Sequence, residues 1–236
     1  MDIAKVVEEA QKMKAREEAE KAEAQKWLAA ETLSEKLAAA EKVLVGLGRE
    51  WSMTEAGDPD GLQAAYHKLA VMLAGKDYFL VTTCTDAAVY QMGLDPARIT
   101  APCGNDTWRQ CSESCTKDIW EPGEIPDDIC PHCGAPLTGN TIRAKLYIEE
   151  GYKPQWLCYT AWLGHTVNRR LLVLELGVDF QTPTVIRWPF EKNVMFNQQS
   201  FMIRVNAKYA QLTPEIRERA RSVGENSPDW IRKQEA

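Results

Sequence analysis

Four cysteines carry the clearest chemistry in the chain. Cys111-x3-Cys115 is followed after fourteen residues by Cys130-x2-Cys133, two close thiol pairs on a loop long enough to fold back onto one tetrahedral ion. Thiolates at this spacing suit zinc, and four of them close its coordination, so the expected metal is structural and offers no position for a reacting water. Gly134 follows the second pair, where a small residue lets backbone amides turn toward the sulfurs. His132 could replace one cysteine as a ligand, but four thiolates already complete the site. The bland alternative is a set of four buried free thiols. The chain has seven cysteines, an odd number that reads as metal ligands and thiols rather than as a disulfide framework.

The scaffold that must position these residues is bounded by size and charge. A chain of 236 residues holds one large domain, with or without a small inserted module. Its 44% hydrophobic content is enough for a core without staples. The net charge of −6 has the wrong sign for a partner made of phosphate backbone, so nucleic-acid binding is not expected. The apolar run Leu171 to Leu174 ends at Glu175, far short of the roughly 20 residues that span a bilayer. The N-terminus has no continuous apolar core of a secretion signal, so the cytoplasm is the expected compartment.

Local patterning predicts the elements. Residues 1–30 are rich in helix formers, with Ile3, Val6, Ala10 and Met13 at helical spacing and Glu8/Lys12 and Glu17/Lys21 four apart, which predicts a long surface helix, mostly solvated or lightly packed on a partner. Thr32-Leu33-Ser34-Glu35 has capping-box form and predicts a second helix to about Lys42, followed by a buried strand at Val43-Leu44-Val45. A glycine-bearing loop, Gly46 to Trp51, then leads through turn formers to a helix from Leu62 to Gly75 and a strand at Tyr78–Thr82. Further helices are predicted at Ala87 to Met92 and Pro214 to Ser222, and further strands at Arg170 to Leu176 and Phe201 to Val205. Alternating strands and helices predict a parallel α/β sheet. The cysteine-rich stretch interrupts it, so the expected division is an N-terminal helical segment (1–42), a Rossmann-like core (43–106 and 141–236) and a zinc module (107–140).

In order, these pieces resemble the sirtuins, and specifically their macrodomain-linked microbial branch (class M), which is associated with protein ADP-ribosylation. The resemblance runs from about Ala40 onward. It is carried by the run from Asp77 to Asp86, the cysteine module, the run from Leu174 to Pro183, Ile186-Arg187-Trp188-Pro189-Phe190 and Arg204-Val205-Asn206. It implies NAD bound at the carboxyl ends of the strands, with contacts from Gly46, Gly48, Ser52, Asp86, Gly177 and Asn206. It also implies chemistry at the nicotinamide ribose near Cys84, Asp86 and Cys103.

Several departures fall on that one pocket. In the stretch matching the phosphate loop, Glu50 and Trp51 would crowd the backbone approach a pyrophosphate needs, and Arg49 is the one residue able to compensate. Cys84-Thr85-Asp86 keeps only the Asp of the nicotinamide-side motif. Cys103 stands where the general base belongs, and a thiol with an ordinary pKa near 8.5 replaces imidazole poorly. Between Gly57 and Leu62 there is no room for the helical module that closes over NAD in the family. Asp179 adds a carboxylate where the branch usually has glycine.

Three functions follow. The first expectation is a zinc-stabilised scaffold that lost efficient NAD chemistry and binds a protein or small ligand. The first alternative is an NAD-dependent protein ADP-ribosyltransferase or deacylase acting on a modified protein, with Asp86, Asn206 and Ser52 still in place. The second is a thiol enzyme or redox sensor in which Cys84 and Cys103 share a cleft; the plain alternative makes both thiols core residues. Cys158, Trp156, Trp162 and Trp188 are expected to pack in the core.

Overall fold

The computed structural model describes residues 3–235. Helix α1 spans Ile3–Ala29 and α2 spans Leu33–Ala39. The capping box forms as patterned: Thr32 Oγ1 accepts from the Glu35 amide, and the Glu35 carboxylate accepts from the Thr32 amide. Lys12 pairs with Glu8 at 2.6 Å. The second expected pairing is replaced by Arg16 with Glu20 and Lys26 with Glu23. The side chains of Ile3, Val6 and Ala10 lie outside those described, and Met13 is exposed. What docks α1 is its far end. Trp27 is buried, and Lys36 of α2 donates to its carbonyl at 2.7 Å while its ammonium lies over the Trp27 and Phe201 rings.

The sheet contains β1 (Lys42–Leu47), β2 (Tyr78–Thr82), β3 (Ile99–Thr100), β6 (Leu171–Leu176), β7 (Phe201–Val205) and β8 (Ala220–Val223). All are parallel, in the order β3-β2-β1-β6-β7-β8. A second sheet pairs β4 (Gly104–Cys111) with β5 (Leu137–Thr141), antiparallel. The helices after α2 are α3 (Pro59–Leu73), α4 (Lys153–Gly164), α5 (Arg187–Phe196) and α6 (Ser227–Lys233).

Strand alternation divides the core in two. Val43, Val45, Leu47, Leu172, Leu174 and Leu176 face one side, with Trp27, Leu37, Leu69 and Ile231 of α1, α2, α3 and α6. Leu44, Phe79, Val81, Leu171 and Val173 face the other, with Tyr159 of α4 and Phe190 and Val194 of α5. A sheet covered on both faces is the setting in which continuous apolar strands are stable. The strand order reverses between β1 and β6, and open α/β sheets build their ligand crevice at the carboxyl ends beside such a switch point.

Some expectations change. The second helix stops at Ala39, three residues before Lys42, because β1 begins there. The stretch Ala87 to Met92 is only a 3-10 turn at Ala88–Gln91, preceded by Ala87 at φ 61°, a left-handed conformation that a regular helix start does not allow. Pro214 to Ser222 is a 3-10 turn over Pro214–Arg219 that runs into β8, where Arg221 and Ser222 pair with β7. Cys158 and Trp188 are exposed, because each sits on the outer side of its helix. Trp156 and Trp162 pack against the second core cluster as expected.

Candidate functional site

The segments leaving β1, β2, β3, β6 and β7 converge at the carboxyl end of the sheet. Those after β1, β6 and β7 line a cleft of about 560 Å³ between Arg49, Glu50, Gly177, Asp179, Asn206 and Tyr209. A smaller recess of about 190 Å³ continues from it past Ser52, Cys84, Cys103, Arg143 and Thr182.

Gly46 and Gly48 are spent on packing within the protein. A Cβ on Gly46 would lie 2.5 Å from Ile186 Cγ2, and one on Gly48 would lie 2.4 Å from the Gly177 carbonyl oxygen. Trp51 does not crowd the cleft as the sequence suggests. Its ring is fully buried, stands edge-on to Tyr66 with centroids 4.8 Å apart, and donates to Ser227 Oγ at 3.0 Å. Glu50 turns inward instead: its carboxylate accepts from the Ala207 amide at 2.9 Å and from the Ser227 amide at 2.7 Å. Gly177, at φ 67°, makes the space, since a Cβ there would fall 2.5 Å from Glu50 Cβ. Arg49 is paired with Glu55 at the exposed rim of the cleft, so a phosphate would have to compete with that carboxylate for its guanidinium.

The other expected contacts are likewise engaged. Asp86 accepts from Ser52 Oγ at 2.9 Å and from the Met53 amide at 2.7 Å, tying the β2 and β1 loops together. Asn206, buried, donates to the Val178 carbonyl at 3.0 Å and accepts from the Lys208 and Tyr209 amides at 2.8 Å. Between Ser52 and the α3 cap at Asp58, whose side chain accepts from the Gly61 amide, the chain makes only a short turn. No helical module stands there.

Cys84 and Cys103 line the same recess, and both are free thiols. Cys84 donates to the Gly48 carbonyl at 3.2 Å. Its burial, with Asp86 nearby, pushes its pKa up to about 12. Cys103, 4.0 Å from Thr182 Oγ1, is also raised by burial. Neither thiol is poised as a thiolate nucleophile, because both environments disfavour the charged form.

Across the molecule, the Sγ atoms of Cys111, Cys115, Cys130 and Cys133 all lie within 4.8 Å of one another, with Cys111 to Cys133 at 3.6 Å and Cys115 to Cys130 at 3.5 Å. Zinc–sulfur bonds of about 2.3 Å in a tetrahedron need sulfurs roughly 3.8 Å apart, so the tetrad could form a zinc site. Burial opposes ionisation of Cys111, but the Cys115 and Glu113 amides and the neighbouring thiols overcome it and bring its pKa to about 6. His132 turns away to Asp118 at 2.8 Å.

The sequence marks Glu50 as crowding and repelling a pyrophosphate but does not reveal its amide partners. The run Asn226-Ser227-Pro228-Asp229, in which Asn226 caps α6 and accepts from the Asp229 amide, was the available signal that a helix starts beside the cleft.

The fold is that of the Sir2 homologues, a Rossmann-like sheet flanked by helices. A Sir2 homologue–NAD complex superposes with a TM-score of 0.56 at 15% identity, covering 85% of this chain and 90% of that one. A Sir2–p53 peptide–NAD+ complex gives 0.54 at 13%, covering 84% and 93%. A protein ADP-ribosyltransferase of Staphylococcus aureus is 25% identical over 173 residues, 66% of this chain and 55% of that protein. A probable bifunctional ADP-ribose hydrolase/ADP-ribosyltransferase of Fusarium oxysporum is 25% identical over 145 residues, 51% of this chain and 24% of that protein. The chain therefore spans about half the length of the first relative and a quarter of the second. No family model matches.

Proposed function

We propose that this chain is a zinc-stabilised Sir2-fold scaffold whose dinucleotide cleft carries its own Glu50 carboxylate on the wall, and that it binds a protein partner rather than turning over NAD. One observation carries the reading. The Glu50 carboxylate holds the Ala207 and Ser227 amides, in space that Gly177 vacates for it. A fixed negative charge there, with Asp179 on the same wall, opposes a pyrophosphate, and Arg49 is paired with Glu55. The glycines that would let backbone approach the phosphates are consumed by internal packing. The residues at this end of the sheet therefore do not fit NAD, and no catalytic step is assigned to it. The zinc tetrad fits its ion, and Cys111, Cys115, Cys130 and Cys133 would hold it as a folding element, with residues 107–140 as the module it organises. The solved Sir2–peptide complex and the ADP-ribosyltransferase relatives support a protein or modified protein as the partner.

A second reading, an active protein ADP-ribosyltransferase or deacylase, draws on the relatives' names and on the retained bond between Ser52 and Asp86. Calorimetry with NAD and ADP-ribose separates the two. The scaffold reading expects no saturable binding below millimolar concentration in the native chain and measurable ADP-ribose binding after Glu50→Ala. Micromolar binding by the native chain, with nicotinamide release that Asp86→Ala abolishes, would establish the second reading instead.

A further inference from the structure

A separate cavity, of about 410 Å³, is lined by β4, the segments that follow β2 and β3, Glu121 of the cysteine module and the start of α4. Its volume falls within the range of small-molecule sites, roughly 300 to 1,000 Å³. Three aromatic side chains wall it: Tyr90 from the 3-10 turn after β2, Trp108 from β4, and Tyr152 ahead of α4. Tyr90 and Trp108 face each other with ring centroids 6.4 Å apart and planes 35° from parallel. Tyr152 stacks on Tyr147 at 6.2 Å and meets Trp156 edge-on at 6.2 Å, so this wall is held by its own packing. Gly151 lets Trp108 lie close, since a Cβ there would be 3.1 Å from the indole ring.

The polar end of the cavity is underused. Asn105 is 3% exposed. Its Oδ1 accepts from the Thr107 amide at 2.9 Å and from the Thr107 hydroxyl at 2.8 Å, which fixes the amide orientation and leaves Nδ2, unbonded among the described residues, free to donate into the cavity it lines. The fully buried Thr100 hydroxyl, also of this cavity, has no partner. A buried polar group without a partner is uncommon and points to a missing ligand or water. The single charged residue on this wall is Glu121, and no Lys, Arg or His lines it among the described residues.

We infer that this cavity is a binding site for an uncharged planar heteroaromatic ring of purine size, stacked on Trp108 and accepting a hydrogen bond from Asn105 Nδ2. Aromatic side chains on the cavity wall favour a flat ring, and the free amide donor favours one with an acceptor on its edge. Glu121 and the absence of basic side chains disfavour a phosphorylated form. The site is separate from the cleft that holds Glu50, so it stands or falls independently of the scaffold reading.

Adenine, titrated into the full chain with bound zinc and followed by ligand-observed NMR and calorimetry, is the probe. The expected result is saturable binding, with AMP weaker than adenine. Trp108→Leu should weaken adenine by at least about fivefold, the loss of one base-stacking contact. Asn105→Asp keeps the Thr107 bonds and replaces the donor by a charge, and should weaken it by about tenfold or more. Lys208→Ala, an exposed side chain of the other cleft, should leave adenine affinity unchanged. Absence of saturable binding overturns the inference, as does adenine affinity insensitive to Trp108→Leu. Loss of binding in Lys208→Ala overturns it too, by placing adenine in the Glu50 cleft.

Discussion

At the scale of single residues, the cleft is shaped by the pairing of Glu50 with Gly177. A methyl group on Gly177 would meet Glu50 at 2.5 Å and sit on a left-handed backbone. Gly177→Ala should therefore destabilise the fold by about 1 to 3 kcal/mol, read as a lowered denaturant midpoint; an unchanged midpoint would show that Glu50 moves freely. This feature was not legible in the sequence, since the amides that hold Glu50 lie 157 and 177 residues away. The cysteine tetrad was legible because its ligands come in two local pairs. The thiols give a second test. In zinc-loaded protein the exposed Cys158 should react first with an aromatic disulfide reagent, and Cys158→Ser should remove that fast phase. Cys84, with its pKa near 12, should stay unreactive at pH 8 and gain reactivity only toward that value. Because its folded pKa is raised, its stabilising contribution is complete below the unfolded thiol pKa and declines as pH rises toward about 12. A Cys84 that labels as fast as Cys158 at pH 8 would revive a thiol-based role.

At the scale of elements, strands were easier to read than the short turns between them. Tyr78–Thr82 and Phe201–Val205 form as patterned because runs of β-branched and aromatic residues on a doubly covered sheet leave no competing choice. The stretches after Ala87 and Pro214 have helix-forming composition but are drawn into 3-10 turns by a left-handed start and by pairing of β8 with β7. Glu175, which ends the apolar run in the sequence, sits inside β6 because Arg204 stands opposite it on β7. The two make bonds of 2.7 and 2.8 Å, with Arg187 at 3.3 Å and Glu191 also on Arg204. Replacing Arg204 by Met leaves a buried carboxylate short of partners, a loss of about 3 to 5 kcal/mol. Burial already raises the Glu175 pKa, against the pull of Arg204 and Arg187. A raised carboxylate favours the fold at low pH and opposes it as pH rises. The thermal midpoint of Arg204→Met should accordingly recover part of its deficit on acidification, and a deficit equal at pH 5 and pH 8 would contradict this account.

At the scale of the whole molecule, the six-stranded sheet and the cysteine module differ in what holds them. The sheet carries two apolar layers and needs no ion. The module has a two-stranded sheet and a core of only Cys111, Trp120 and Cys130, with Ile125, Ala135 and Leu137 against it. A two-stranded ribbon with so small a core is marginal in water, so under the proposed reading zinc at the tetrad supplies its order, and the binding free energy is then folding free energy. Chelation, or Cys130→Ser, should therefore release Trp120 from its buried site beside His132, at a ring separation of 6.4 Å, while most far-UV signal from the sheet and its helices persists. Trp120 emission should shift to the red, and readdition of zinc should reverse the shift in the native chain but not in the variant. A single transition in which module and sheet melt together on chelation would show instead that β4 and the chain after it are integral to the core. In that case the metal's influence would extend through Cys103 and Gly104 into the cleft.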